Sequence, residues 1–201
     1  MVTKLSVYAW KDIMRVCGPI TNTTPKDKIS CRYIDLWIGK YELTAYGSNA
    51  IQISKVNVPC DADAAPYGGY HLLIPPMKTP AGTRYVEIHS NDEEKEYTVM
   101  FLDIDKDIIS AVTSPMFDGK PLDYEDFYRK AQKNFDDHSR DGAGEYYIVV
   151  NPKLLLNALE GFKSSEKVIL NFGSRVQPFM IRDFDQNVDA TALIYPIRVI
   201  T

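Results

Sequence analysis

The final third of the chain, residues 145–201, places the tightest limit on what this sequence can fold into. An apolar run begins at Tyr147, and a leucine-rich stretch from Asn151 to Phe162 follows it. Three short segments rich in β-branched and aromatic residues come next, and the last contains a proline at the chain terminus. Apolar spacing of these two kinds distinguishes helices from strands. The pattern predicts a strand, a helix and three strands, in that order.

The first part of the chain contains a second candidate helix. Four apolar side chains between residues 8 and 17 share one helical face, namely Trp10, Ile13, Met14 and Cys17. Gly18-Pro19 follows directly, and this pair is typical of a helix end. We therefore predict a helix over residues 8–17.

Three predicted strands follow this helix. Residues 28–37 and 40–45 are aromatic and β-branched and are joined around Gly39, and residues 50–58 form the third. Residues 3–60 therefore have the predicted order β-α-β-β-β, which is also the order of residues 145–201. This is an internal repeat of architecture rather than of sequence.

The middle of the chain fits the repeat less well. The sequence predicts four strands there, at residues 70–74, 83–90, 97–103 and 108–112. A connector from Phe117 to Tyr128 follows, with a short helical tail through Lys133, and its carboxylates Asp123, Glu125 and Asp126 are expected to face solvent. Where the repeat would require a helix, prolines occur at positions 75, 76 and 80, and proline disfavours helix interiors. Two interpretations stay open: a third, degraded copy of the unit, or an insertion between two copies.

Composition indicates a globular chain of 201 residues with a net charge of −4. No apolar run is long enough to span a membrane, and the N-terminus lacks the apolar core of a signal peptide. The three cysteines, Cys17, Cys31 and Cys60, have no metal-site spacing and favour reduced thiols in the cytoplasm. We expect a cytoplasmic protein without a cofactor or a bound metal.

Four segments together resemble a known family. Asn151-Pro-Lys-Leu-Leu-Leu-Asn-Ala-Leu159 is close to Asn-Pro-Lys-Tyr-Leu-Leu-Asp-Ala-Leu, and Tyr195-Pro-Ile-Arg-Val199 is close to Met-Pro-Met-Arg-Leu. Gln177-Pro-Phe-Met-Ile181 and the connector Gly119-Lys-Pro-Leu-Asp-Tyr124 match more loosely. In this order, the segments resemble the bacterial DNA polymerase III beta subunit, the sliding clamp. Only the general shape of the family's motif survives at residues 42–51.

The resemblance implies a fold. We expect an α+β, DNA-clamp-like architecture of repeated β-α-β-β-β units, with the helices packed on one face of antiparallel sheets. The expected boundaries are residues 1–60 for the first half-unit, 61–144 for the degraded unit or insertion with its connector, and 145–201 for the last half-unit. The chain is too short for a three-domain clamp subunit, so it resembles a reduced or divergent relative.

The resemblance also implies contact with double-stranded DNA, without sequence specificity. Clamp helices line a central hole, and their basic side chains meet phosphates without reading bases. The corresponding basic residues here are Lys11, Arg15, Lys153 and Lys163. The alternative is that these residues belong to ordinary solvated helix faces.

A second implied site is a hydrophobic groove for short peptides of polymerases and repair proteins. By resemblance, one wall comprises Asn151, Leu154, Pro178, Leu193, Ile194, Tyr195, Pro196, Ile197 and Arg198, and the other comprises Thr44, Ala45 and Ile51. The alternative is that the leucines and Ile197 are plain core and Pro196 ends an edge strand. Ser48-Asn-Ala-Ile51 replaces the family's Gly-His-Arg-Leu, which affects the expected specificity.

Three functions follow as hypotheses. The first is a non-enzymatic, clamp-like protein that associates with DNA, forms homo-oligomers edge to edge and recruits replication or repair partners. The second is a clamp-fold interaction module that does not encircle DNA. The third is an α+β enzyme, although the sequence contains no phosphate loop, nucleophile elbow or dinucleotide motif. Asp103 to Asp107 resembles the start of a calcium loop, but Ile108 and Ser114 replace the required Gly and Glu.

Overall fold

The computed structural model describes residues 1–22, 29–49, 52–66, 69–117, 123–138, 150–172, 177–184 and 189–196. Its helices are α1 (Val7–Asn22), α2 (Tyr124–His138) and α3 (Pro152–Glu160), with a short 3₁₀ helix at Ile29–Arg32. Its strands are β1 (Val2–Ser6), β2 (Ile34–Ile38), β3 (Glu42–Ser48), β4 (Gln52–Pro59), β5 (Asp61–Ala62), β6 (Tyr70–Ile74), β7 (Tyr85–Asn91), β8 (Glu96–Leu102), β9 (Ile108–Pro115), β10 (Val168–Asn171), β11 (Phe179–Asp183) and β12 (Asp189–Ile194).

The strands form two antiparallel sheets. The five-stranded sheet has the order β5-β1-β7-β8-β9, and the seven-stranded sheet has the order β10-β11-β12-β4-β3-β2-β6. With the three helices, this confirms the predicted α+β class and its antiparallel sheets.

The two sheets exchange their first strands. β1 precedes β2–β4 in the chain but pairs with β7 of the other sheet. Conversely, β6 precedes β7–β9 but pairs with β2. Each block of strands thus donates its first strand to the sheet of the other block, and this arrangement ties the blocks together around one core.

Helix α1 is longer than predicted. The sequence predicted an end at Gly18-Pro19, whereas α1 continues to Asn22 with Pro19 inside it. The prediction was wrong because the last turn is buried: Ile20 is fully buried and Thr21 donates its hydroxyl to the Gly18 carbonyl at 2.9 Å. Core packing thereby offsets the backbone hydrogen bond that a proline removes.

Two other boundaries differ from prediction. Residues 28–37 were predicted as one strand, but Ile29–Arg32 is a 3₁₀ helix and pairing begins at Ile34, opposite Ile74. The helix after the connector was predicted to end at Lys133, whereas α2 reaches His138. Both errors arise because strand partners and helix ends depend on contacts far away in the sequence.

The middle block consists of the four strands predicted for it, β6 to β9. Residues 75–84 are non-helical, as the three prolines indicated. In the last block, α3 precedes β10, β11 and β12, as predicted. The strand predicted from Tyr147 lies outside the described residues.

Helix α1 lies at the centre of the core. It contacts β2, β3 and β4 of the seven-stranded sheet and β1 and β7 of the five-stranded sheet. Its Trp10 packs edge-on against Phe101 of β8, with ring centroids 5.7 Å apart. α3 contacts α1 and β12. The two helices therefore lie side by side on one face of the seven-stranded sheet.

Candidate functional site

The first candidate surface, here called the helix surface, is defined by the four predicted DNA-binding residues on and beside α1 and α3: Lys11 and Arg15 of α1, Lys153 of α3 and Lys163 just after it. Arg15 of α1 donates from Nη1 to Oγ of Ser164, just beyond α3, at 2.7 Å. This contact brings Arg15 close to Lys163. The turn that follows α3 therefore packs against the side of α1 that carries Arg15.

Half of the positive charge on the helix surface is paired within the chain. Arg15 forms an ion pair of 2.7 Å with Asp12, and Lys163 forms one of 2.6 Å with Glu160. Lys11 and Lys153 are exposed, and within the described residues no ion pair involves either of them. Asp12 and Glu160 were not among the predicted site residues, although their i,i+3 spacing from Arg15 and Lys163 is visible in the sequence.

The local sequence explains the position of Lys153. Asn151 caps α3, and its side-chain oxygen accepts a hydrogen bond from the Lys153 backbone N–H at 3.0 Å. Pro152 occupies the first turn, where its missing N–H costs nothing. The cap gives Asn151 a structural role in addition to its predicted place in the groove.

The structure separates the predicted groove residues between the two faces of the seven-stranded sheet. Ala45 and Ile194 belong to the main core, and Leu154 packs against it. Leu193 belongs to a second cluster on the opposite face. Thr44 is half-buried, on the strand face opposite to that of Ala45.

Three other predicted groove residues lie just outside the ends of β11 and β12. Pro178 is buried, whereas Tyr195 and Pro196 are half-buried. Burial raises the pKa of the Tyr195 hydroxyl above its ordinary value. Ile51, Ile197 and Arg198 lie outside the described residues.

The outer face of the seven-stranded sheet, opposite α1 and α3, carries an aromatic cluster that the sequence analysis missed. This outer cluster consists of Tyr46, Ile53, Tyr124, Tyr128, Met180 and Leu193. Its rings come from β3 and α2, and Tyr46 stacks on Tyr124 with centroids 4.7 Å apart. Helix α2 therefore covers the face on which Leu193 lies. The i,i+4 spacing of Tyr124 and Tyr128 was the signal available in the sequence.

Tyr128 bridges the first and last blocks of the chain. Its hydroxyl lies 3.2 Å from the carbonyl oxygens of Ile53 in β4 and Thr191 in β12, to which it donates. These two strands pair with each other at the middle of the seven-stranded sheet. The ring of Tyr128 thus lies over the junction between the blocks.

Glu125 adds a polar contact at the rim of the outer cluster. Asp123 and Glu125 are exposed, as predicted, and Asp126 is half-buried. Glu125 also accepts hydrogen bonds from the Tyr46 hydroxyl and, at 2.9 Å, from Lys55. The Tyr46 hydrogen bond, followed by Lys55, lowers the pKa of the Glu125 carboxyl. Because Glu125 is largely exposed, its ion pair contributes little to stability.

A buried carboxylate lies beside the outer cluster. Asp35 of β2 is fully buried and forms an ion pair with His71 of β6, whose ring packs edge-on against Trp37. Burial raises the pKa of the Asp35 carboxyl, and the hydrogen bond and charge of His71 oppose that rise. The net direction is upward, so burial outweighs the ion pair.

We expect Asp35→Asn to stabilise the protein at pH 7. Because the folded-state pKa of Asp35 lies above its unfolded value, the native state holds this proton more tightly. Stability then falls as pH rises from the ordinary carboxyl pKa through the raised one, and above that range the full penalty applies. Asn cannot ionise, so the advantage of the variant should shrink as pH is lowered towards 4 in urea-unfolding measurements.

Asp105, an exposed residue in the turn between β8 and β9, provides the control for this prediction. Asp105→Asn removes the same charge from the surface and should change stability little at either pH. A D35N protein that is less stable than the parent at pH 7 would show that the ion pair with His71 outweighs burial.

Two other kinds of feature are absent from the part of the chain that the structure describes. Among the described residues, no group of three or more His, Cys, Asp or Glu side chains could hold a metal ion. No helix in that same part of the chain has the length and apolar character needed to cross a bilayer.

The fold is that of the DNA sliding clamp, which confirms the resemblance inferred from the sequence at the level of structure. The beta chain of DNA polymerase III from Streptococcus pneumoniae matches with a TM-score of 0.71 at 15% identity, over 98% of this chain and 64% of that one. The putative beta subunit from Eubacterium rectale matches with a TM-score of 0.71 at 14% identity, over 99% and 66%. The Thermotoga maritima beta subunit matches with a TM-score of 0.70 at 11% identity, over 100% and 66%.

The chain spans less than two thirds of the length of these solved structures. No family model matches the sequence, and no curated protein matches it either.

Proposed function

We propose that this protein is a non-enzymatic, clamp-fold protein that associates with double-stranded DNA through the helix surface and recruits polymerase or repair partners. The observation that carries the proposal is the side-by-side packing of α1 and α3 on one face of the seven-stranded sheet. Lys11 and Arg15 belong to α1, Lys153 belongs to α3 and Lys163 follows α3, so the packing of these helices supports a shared basic surface on a protein whose net charge is negative. A local basic surface can attract phosphates even when the net charge of the whole protein is negative.

The charge balance of the helix surface favours weak binding that is sensitive to salt. Lys11 and Lys153 are available for phosphates, while Asp12 and Glu160 compete for Arg15 and Lys163. Each neutralised phosphate contributes roughly −0.9 to the slope of log affinity against log salt concentration. With two to four contacts, we expect a slope of about −2 to −4 on duplex DNA.

We expect the double variant K11E/K153E to weaken this binding strongly. The change removes two phosphate contacts and adds two repulsive charges, so affinity for duplex DNA should fall by at least roughly tenfold at low salt. Fluorescence anisotropy with a labelled duplex at several salt concentrations measures the effect.

K40E/K106E is the matched control. Lys40 and Lys106 are exposed in turns between strands, and the double variant makes the same change in net charge. It should leave DNA affinity nearly unchanged. Equal loss in both double variants would mean that total charge, rather than the helix surface, governs binding.

The second candidate function is an interaction module that binds partner peptides without encircling DNA. The two internal ion pairs on the helix surface favour it, because they halve the charge free for phosphates. Leu154→Ala is the probe of the proposed groove, since Leu154 is half-buried and reachable from the surface. Unchanged affinity for a peptide that binds sliding clamps would argue against Leu154 as part of the groove.

We also infer that residues 70–115 are a third copy of the repeated unit rather than an insertion. The reciprocal exchange of β1 and β6 between the sheets supports this inference, because an insertion has no reason to reproduce it. The three units would then be residues 1–60, 61–144 and 145–201, with the helix of the middle unit replaced by a proline-containing segment. A ring would require more than one copy of such a chain.

A further inference from the structure

Helix α2 covers an apolar surface that four neighbouring strands form on the outer face of the seven-stranded sheet. This docking surface consists of Tyr46 of β3, Ile53 of β4, Met180 of β11 and Leu193 of β12. All four residues are at most 5% exposed. Two tyrosines of α2 pack on them and complete the outer cluster. An apolar surface of this kind would be open to a ligand if α2 were to leave it.

The sheet beneath α2 is complete without the helix. The strands β11, β12, β4 and β3 are hydrogen-bonded neighbours in that order, and each pairs antiparallel with the next. Helix α2 contributes side chains to this region and no strand. Its departure would uncover the docking surface and leave the backbone ladder intact. The docking surface is therefore preformed, as binding sites for ligands usually are.

The contacts that hold α2 on the sheet come from its first two turns. Tyr124 and Tyr128 enter the outer cluster, and Glu125 accepts hydrogen bonds from Tyr46 and Lys55. The three α2 residues have the spacing i, i+1 and i+4, so they share one side of the helix. Phe127, outside this side, is 41% exposed.

The polar residues of α2 stabilise the helix itself. Asp123 accepts a hydrogen bond from the Asp126 backbone N–H at 3.0 Å, in the manner of a helix cap. Asp126 in turn forms ion pairs with Arg129 at 2.7 Å and with Lys130 at 2.5 Å. These contacts stay within the helix, so they would persist away from the sheet. Helix α2 thus resembles a bound amphipathic peptide more than a built-in layer of the fold.

We propose that the docking surface is an interaction site for helical segments of partner proteins, and that α2 is its internal occupant, which a partner displaces. This proposal rests on the partner-recruiting part of the proposed function and adds its regulation, since Leu193 belongs both to the predicted groove and to the docking surface. The chemistry of the partner follows from that of α2. It carries two aromatic residues four positions apart, and an acidic residue directly after the first.

Two polar groups on the sheet make this site selective. The carbonyl oxygens of Ile53 and Thr191 both accept from the Tyr128 hydroxyl at 3.2 Å, so the second aromatic residue of the partner should be tyrosine. Phenylalanine would leave both carbonyls without this donor. Lys55 at the rim matches the acidic residue, and such an exposed charge contributes more to orientation than to affinity.

Competition between α2 and the partner gives the proposal a distinctive sign. A partner can bind only those molecules from which α2 has left. Its apparent dissociation constant therefore equals the intrinsic constant divided by the open fraction. Weakening the hold of α2 must strengthen partner binding, whereas general damage to the fold would weaken it.

A labelled peptide that copies residues 123–138 is the probe, and fluorescence anisotropy measures its binding to the full chain. The parent protein should bind it weakly. Tyr128→Phe in the protein should raise the affinity about fivefold, which corresponds to one hydrogen bond of about 1 kcal/mol. Tyr128→Ala should raise it at least roughly tenfold. Both changes lie in the occupant and leave the docking surface unaltered.

Controls on both sides separate docking from nonspecific effects. Phe127→Ala in the protein should leave peptide affinity unchanged, because that ring is outside the docked side of α2. A peptide with alanine at both tyrosines should not bind. Circular dichroism checks the fold of each variant. If Tyr128→Ala proves too unstable, Tyr128→Phe decides, because it keeps the ring.

The proposal is wrong if folded Y128F and Y128A proteins bind the peptide no better than the parent does, or if F127A gains as much affinity as they do. It is also wrong if a peptide that binds sliding clamps loses affinity in L154A but is indifferent to Y128F, since the groove would then lie elsewhere. Tighter peptide binding by Y128F without any DNA binding would support the docking surface and remove the DNA-binding part of the proposed function.

Discussion

Replacing Tyr128 with alanine should lower the free energy of unfolding by about 3–5 kcal/mol, the usual cost of emptying a buried aromatic site. Tyr128 fills the centre of the outer cluster, and its hydroxyl binds carbonyls on both β4 and β12. The loss should be uneven, because this side chain connects the first block to the last. Urea unfolding measures the total, and hydrogen exchange should show the largest loss of protection in β11 and β12.

Two variants separate the contributions of the ring and the hydroxyl. Tyr128→Phe keeps the ring and should cost about 1 kcal/mol, the typical net value of one hydrogen bond. Phe127→Ala on the same helix removes a ring that is 41% exposed and should cost clearly less than Tyr128→Ala. If the two alanine variants are equally stable, α2 does not hold the blocks together.

Replacing Gly47 with alanine should destabilise the protein by about 3 kcal/mol, near the upper end for overpacked cores. An added Cβ would lie 2.6 Å from the carbonyl oxygen of Cys17 and 2.8 Å from its Cα. These are backbone atoms of α1, so relief requires a shift of the helix against β3. Since α1 contacts both sheets, that shift would disturb the whole core. Thermal unfolding monitored by circular dichroism measures the effect.

Gly18→Ala is the control for this prediction. Gly18 lies inside α1, and an added Cβ would meet only the Pro76 side chain at an ordinary 3.7 Å. Alanine is favoured over glycine in helices, so G18A should be neutral or more stable by roughly 0.5–1 kcal/mol. Similar losses in both alanine variants would mean that the contact between Gly47 and Cys17 is not the cause.

Most individual elements were predictable from the sequence, because their signals are local. The alternation of apolar residues identified β6 to β8 nearly to the residue, and the three prolines correctly indicated that residues 75–84 lack a helix. The helix after Asn151 was equally clear, and its resemblance to sliding clamps agrees with the fold. Predictions failed at element ends, as at Pro19, where burial of Ile20 outweighed a local stop signal.

The candidate surfaces were only half predictable. The sequence supplied the four cations of the helix surface, and the spacing of Asp12 and Glu160 was present but not used. The outer cluster was missed because its members come from five separate elements, and only the i,i+4 spacing of Tyr124 and Tyr128 links any of them locally. The groove residues were predicted from the resemblance. The apolar pattern of a single strand does not show which of its two faces a neighbouring element covers.

The sequence by itself determined where most strands and helices form, because apolar periodicity and proline act over a few residues. The kind of fold was indicated by the resemblance of a few segments to sliding clamps. The tertiary structure alone decided that β1 and β6 change sheets and that α2 covers the outer face of the seven-stranded sheet. Those outcomes depend on which apolar surfaces meet across long separations in the chain. The free energy of such contacts is a property of the packed whole, so no short stretch of sequence encodes it.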